Sequence, residues 1–258
     1  MSILLLSLGI LAIYMSSLFA VSLVLRNNGI ADIGYGVAFM VVIGATLLQV
    51  ETPLLQLILA SLAFVWGLRL AIRIFRKNYG KPEDFRYKAW RDAWGKSFLV
   101  RSFLQVYMLQ GLVVFIVALP ITLSLAFPAS EPSRLLFVLG VIIWCVGFFF
   151  EAIGDYQLDR FLKNPANKGS IMTSGLWKYS RHPNYFGEST MWIGIAVAAS
   201  GLSTLPLLGF VSPLLITFLL LKVSGVPLLE KRFAGNPAWE VYKARTSVFV
   251  PLPPRTIR

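Results

Sequence analysis

Runs of about 20 apolar residues recur along this chain, and almost all of its charge falls in the segments between them. A helix needs about 20 such residues to cross a bilayer's hydrocarbon core. In that core every backbone polar group must be satisfied internally, so a chain with many such runs is restricted to a helical bundle. Seven runs are read, at 3–25, 30–50, 54–72, 103–127, 135–152, 186–200 and 202–221. The last two nearly abut, and Gly201 and Pro206 allow a tight hairpin there. With 57% hydrophobic and only 14% charged residues in 258, composition excludes an ordinary soluble domain. The fold class expected is all-α: a polytopic integral membrane protein of about seven transmembrane helices, in a single membrane-embedded domain spanning 1–258.

The net charge of +12 would suit nucleic acid, but its distribution does not. Nine basic residues lie in 73–101, five in 160–181 and seven in 222–258, all on the side reached after the third, fifth and seventh runs. The loops of the other side hold Arg134 alone. Such asymmetry sets membrane orientation, which places the N-terminus outside and the C-terminus in the cytoplasm. Ordered cytoplasmic loops are expected at 73–101 and 153–185, with a cytoplasmic tail at 222–258. The first run lacks a basic flank and a small-residue cleavage site, so it reads as a retained helix. The lack of a targeting peptide and the compact chain point to a bacterial inner membrane. One cysteine, Cys145, and one histidine, His182, exclude an intrachain disulfide and Cys- or His-based metal clusters, so no metal site is expected.

Ionisable groups inside spans are costly and by default functional. Asp32 opens the second run with Tyr35 at i+3, although Asp is also a preferred helix N-cap. Trp66, Arg69 and Arg73 form one stripe at the inner end of the third run. Glu151 and Asp155, at i and i+4, need a cation or a shared proton between them. Arg73 and Asp155 also lie close enough to the boundary to snorkel into headgroups. Glu188 begins the sixth run, and Glu51, at an outer turn before Pro53, reads as structural. Together these groups suggest apolar walls with an anion-binding mouth at the inner surface, suited to a lipid-like substrate and a water-soluble cofactor.

The most informative stretch is Thr173 to Glu188, TSGLWKYSRHPNYFGE. With Asp32-x-x-Tyr35, Trp66-Gly-Leu-Arg69, Lys81-Pro-Glu-Asp-Phe-Arg-Tyr87 and Leu229-Glu-Lys-Arg-Phe leading to Tyr242, it resembles the steroid 5-alpha-reductase superfamily. That superfamily also includes sterol reductases and isoprenylcysteine carboxyl methyltransferases. The order of the motifs resembles the bacterial branch related to 5-alpha-reductases. The resemblance implies NADPH-dependent reduction of the carbon-carbon double bond of a 3-oxo-delta-4 steroid or similar lipophilic enone. There is no G-x-G-x-x-G after a strand, so the dinucleotide would be held without a Rossmann fold.

By the same resemblance the catalytic set is Asp32, Tyr35, Trp66 and Tyr87. The cofactor site draws on Asn28, Arg69, Glu83, Asp84, Arg86, Asp155, Tyr179, His182, Asn184, Tyr185 and Glu188. For the 2′-phosphate the candidates are Arg73, Lys163, Arg181 and Arg232. Ala31 precedes the acid where animal members have glutamine, and Trp66 stands where they have tyrosine, which leaves Tyr35 as an alternative proton donor to Asp32. His182 reads equally as a nicotinamide contact or as a structural histidine fixing the loop. Two rival functions stand beside the reductase: an S-adenosylmethionine-dependent membrane methyltransferase, and a non-enzymatic lipid-binding protein or small transporter coupled through Glu151 and Asp155. The partners expected are the enone and membrane lipid, with no nucleic acid, and the protein is expected to be a monomer.

Overall fold

A computed structural model describes residues 3–256. Its regular structure is helical. In chain order the helices are α1 (Ile3–Leu25), α2 (Ile30–Leu47), α3 (Leu54–Asn78), α4 (Phe85–Ala126, broken at Gly95), α5 (Arg134–Lys163), α6 (Pro183–Ser200), the broken span α7 (Pro206–Lys231) and α8 (Pro237–Arg245). Among the described residues six of these, α1 to α5 and α7, are long and apolar enough to cross a bilayer. The protein is thus an all-helical, polytopic membrane protein. The sixth apolar run of the sequence does form a helix, the 18-residue α6, but it is not among those six.

Several boundaries differ from the sequence reading, each for a local reason. The segment expected as a loop from 73 is helical to Asn78, because nothing before Gly80, with its φ of +71°, stops α3. Helix α4 starts at Phe85, well before the apolar run, because Asp84 caps it by accepting from the Arg86 N–H at 3.0 Å. Residues 134–163 form one helix, since the charged end of α5 keeps good helix formers through Lys163. Two helices contain π-helical turns, at Ser102–Met108 in α4 and Leu219–Val223 in α7.

The chain forms two compact units, one of residues 1–133 with 199–209 and one of 134–198 with 210–258. In the first, α1, α2, α3 and α4 pack around a core that includes Leu11, Phe39, Val42, Leu59, Trp66 and Tyr107. A Cβ on Gly36 would meet the Gly67 carbonyl at 2.4 Å, so α2 and α3 touch backbone to backbone. In the second unit, α5 and α6 do the same through Gly140, Gly147, Gly187 and Gly194, where a Cβ on Gly147 would lie 2.3 Å from the Met191 nitrogen. Lipid gives helices no hydrophobic drive to associate, so close contact between small residues takes its place. Gly147→Ala is expected to lower the stability of the detergent-solubilised protein by about 1–3 kcal/mol, read from thermal unfolding. An unchanged melting temperature would mean that this contact does not hold the pair together.

Candidate functional site

The first unit builds a polar cluster around Asp32. The chain turns at Asn27, whose side chain accepts from the Gly29 N–H at 2.8 Å, and α2 begins with no side-chain cap. Asp32 therefore sits inside the first turn, and capping is not its role. Its carboxylate reaches across to the start of α4. Tyr87 donates its hydroxyl to Oδ1 at 2.6 Å, and Arg86 Nη2 donates to Oδ2 at 2.8 Å. Arg86 also gives its Nε to Asp84 at 2.9 Å, so one guanidinium fork joins both aspartates. Asp84 thus caps α4 and aims Arg86, while Tyr87 follows as the next residue. The short stretch Lys81 to Tyr87 therefore delivers both partners of the acid.

A second set of bonds holds the same two elements together. The Asn28 N–H donates to Glu83 at 2.8 Å, and Arg91 clasps Glu83 with two bonds of 2.8 and 3.1 Å. Burial raises the pKa of Glu83, but the bonds from Arg91 and the Asn28 N–H outweigh it, and the carboxyl titrates below its ordinary range. The Asn28 side chain, 1% exposed, donates to Ser102 at 2.8 Å and accepts from Tyr107 at 3.4 Å. Asn28 and Glu83, expected in the cofactor site, thus join the α2 turn to α4. Tyr35 lies against Phe39 and Trp66, with ring centroids at 5.2 and 6.5 Å. Trp66 is fully buried. Arg69 and Arg73 lie one turn apart on α3 and are half-buried.

The second unit gathers the TSGLWKYSRHPNYFGE segment. Asn184 donates to Asp155 at 3.1 Å, and both fall where α5 and α6 meet beside Gly154. Glu151 is buried where Gly187 crosses α5, whereas Glu188 is half-buried. Gly175, at φ +61°, sits against Gln157, which accepts from the Leu176 N–H at 2.9 Å. His182 stacks on Tyr185 with centroids 5.4 Å apart and planes 6° from parallel. Its Nε2 lies 3.1 Å from Glu230. A carboxylate accepts, so Nε2 carries the proton, and in the neutral ring Nδ1 faces the other way as an acceptor. Tyr179, Lys163 and Arg232 are exposed.

Arg181 is placed differently from its expected role. Its guanidinium, 9% exposed, pairs with Glu230 at 2.8 Å and donates to the carbonyls of Lys243 and Thr246 at 3.0 and 2.9 Å. With its donors spent on protein acceptors, Arg181 clamps the tail rather than presenting itself to a phosphate. Around it the tail is laced to the signature. Arg181 N–H donates to Ser247, Ser180 to Phe249 and Tyr242 to Trp177. Burial pushes the Tyr242 phenol above its usual pKa. Glu230 lies in the quoted Leu229 to Tyr242 motif, yet nothing in that motif pairs it with Arg181, because the contact bridges 49 residues.

A family model described as "Protein of unknown function (DUF1295)" matches residues 18–246. The chain belongs to this family. This DUF1295 chain is also similar, over shorter stretches, to named proteins. It is 40% identical over 63 residues to a probable O-methyltransferase of Ustilaginoidea virens, covering 24% of this chain and 22% of that protein. It is 38% identical over 64 residues to the mouse 3-oxo-5-alpha-steroid 4-dehydrogenase 1, covering 24% and 25%. An uncharacterized Schizosaccharomyces pombe protein is 25% identical over 162 residues, covering 53% and 46%. The DUF1295 chain therefore spans less than half the length of these relatives. No solved structure matches it.

Proposed function

We propose that the protein is an NADPH-dependent reductase of the carbon-carbon double bond in a lipophilic enone, with a 3-oxo-delta-4 steroid as the substrate class. The observation that carries this reading is the Asp32–Tyr87–Arg86 cluster. Adding a hydride at the beta carbon of an enone moves negative charge onto the carbonyl oxygen, and a second hydrogen must arrive as a proton. The Tyr87 hydroxyl and Asp32 carboxyl share a 2.6 Å hydrogen bond, so either can hold the proton for that oxygen or for the alpha carbon. Arg86 offsets the charge left on Asp32. Behind Tyr35, the buried rings of Phe39 and Trp66 form an aromatic cluster between α2 and α3. The partial similarity to 3-oxo-5-alpha-steroid 4-dehydrogenase 1 supports the same reading.

The second unit suits the cofactor. His182 Nδ1 and Asn184 Oδ1 are buried and have no protein partner, as expected of acceptors kept for a polar ligand group. NADPH, when bound, supplies the hydride. Asn184 and His182 would hold its uncharged end, and Tyr185, fixed by its stack on His182, would offer an aromatic face. For the 2′-phosphate, Lys163 and Arg232 remain at the surface of the second unit once Arg181 is spent on the tail. We place the basic segments at the cytosolic face of a bacterial inner membrane, the N-terminus outside, and the protein as a monomer.

The similarity to a probable O-methyltransferase favours one other reading, transfer of a methyl group from S-adenosylmethionine. Thermal unfolding of the purified protein with NADPH, NADH and S-adenosylmethionine separates them. NADPH at about 100 times its Kd should add roughly 2.7 kcal/mol, and S-adenosylmethionine nothing. Stabilisation by S-adenosylmethionine alone would replace the reductase by the methyltransferase.

A further inference from the structure

Serine hydroxyls in apolar helices ordinarily bond back to the carbonyl four residues earlier. Ser16, Ser17 and Ser61 do so at 2.8, 2.9 and 2.8 Å, although none is buried. Ser189 on α6 is the reverse. It is 2% exposed, and its hydroxyl has no protein partner. A buried hydroxyl left unsatisfied is costly, and more so in apolar surroundings, so this side chain gives up a bond that its own helix offers.

Helical phase shows which way it points. At about 100° per residue, Ser189 is about 200° around α6 from both Gly187 and Met191, the residues pressed against α5. It therefore lies away from the helix pair, on the face of Tyr185 four residues before it. His182, Tyr185 and Ser189 follow i, i+3, i+7 spacing, and the 5.4 Å stack of the first two confirms the shared face. The unpartnered His182 Nδ1 belongs to the same face. Seven residues at about 1.5 Å rise separate the two buried polar atoms by roughly 10 Å along the helix, too far for one small group to serve both. One ligand that met both atoms would therefore have to be long. A charged group beside Ser189 would need a counter-charge, and the neighbouring ionisable residue, Glu188, is acidic.

We infer that Ser189 is a ligand-binding residue whose hydroxyl donates to an uncharged carbonyl or carboxamide oxygen of the molecule bound by the second unit. That this molecule is NADPH rests on the reductase reading; that Ser189 binds it rests on the orphaned hydroxyl.

The test is Ser189→Ala and Ser189→Thr in the full chain, with affinities measured by calorimetry for NADPH, S-adenosylmethionine and progesterone. Ser189→Ala should weaken the probe that it touches about 5- to 10-fold, and Ser189→Thr, which keeps the hydroxyl, should restore it. Without ligand, Ser189→Ala should melt at the wild-type temperature or above, because the change removes an unsatisfied group. A structural hydroxyl would lower it. Affinities within two-fold of wild type for every probe, or a ligand-free variant that melts lower or does not fold, overturn the inference. If the wild type ignores NADPH but binds another probe, the reductase reading fails, and Ser189 is judged on that probe. If it binds none of the three, both fail.

Discussion

Asp32→Asn is expected to lower turnover by about 10²- to 10⁴-fold while leaving NADPH-induced stabilisation nearly intact. The side chains are isosteric, so Arg86 keeps its place through Asp84, but the amide cannot hold and return the proton shared with Tyr87. Tyr87→Phe should cost a comparable factor, because it removes the hydroxyl and keeps the buried ring. The double variant should be little worse than either single one, since the two groups act as a unit. Single-turnover rates with NADPH and a 3-oxo-delta-4 steroid decide the matter. Full activity of Asp32→Asn would remove Asp32 from the chemistry. Loss on Tyr35→Phe, with Tyr87→Phe active, would move the proton donor to Tyr35.

The second large effect concerns stability. Arg181→Ala should destabilise the protein by about 3–5 kcal/mol, because it removes a buried guanidinium and strands half-buried Glu230 and the carbonyls of Lys243 and Thr246. Lysine should not rescue it, since a point charge cannot serve a carboxylate and two carbonyls at once. Limited proteolysis should then cut within the stretch from Ser247 to Arg255, which wild-type protein protects. If Arg181→Ala instead melts normally and loses its preference for NADPH over NADH, the arginine reads the phosphate and the clamp is not its role.

The contrast between Asp32 and Arg181 shows how far the sequence could be read. Hydrophobic length alone specified the helical class, because the bilayer leaves no other way to satisfy the backbone. It placed Asp32 within a span, and a quoted motif set Tyr87 beside Arg86, the acid's other partner. It could not distinguish Tyr35, one turn away on the same helix, from Tyr87, 55 residues on, since helical spacing speaks only for neighbours. The partners of Arg181 were hidden for a similar reason. A basic residue beside a signature looks available until the tail folds back over it, and the acceptors Glu230, Lys243 and Thr246 are far along the chain. Helix ends were missed where capping took over from hydropathy, as at Asp84. Ser189 carried no sequence signal, because the missing back-bond is visible only in three dimensions.

The π-helical turns at Ser102–Met108 give α4 two phases instead of one. A helical wheel drawn through the whole of α4 would misplace its two ends, because Gly95, at φ +46° and ψ −122°, breaks the helix and the wider turns then rotate everything beyond them. The wider turns let Tyr107 reach Asn28 and, past them, Gln110 reach the Ala31 carbonyl at 3.1 Å, while the segment before them keeps Tyr87 on Asp32. Break and wide turns together decouple the two ends, so the short segment that grips the acid is oriented independently of the apolar rod that follows it.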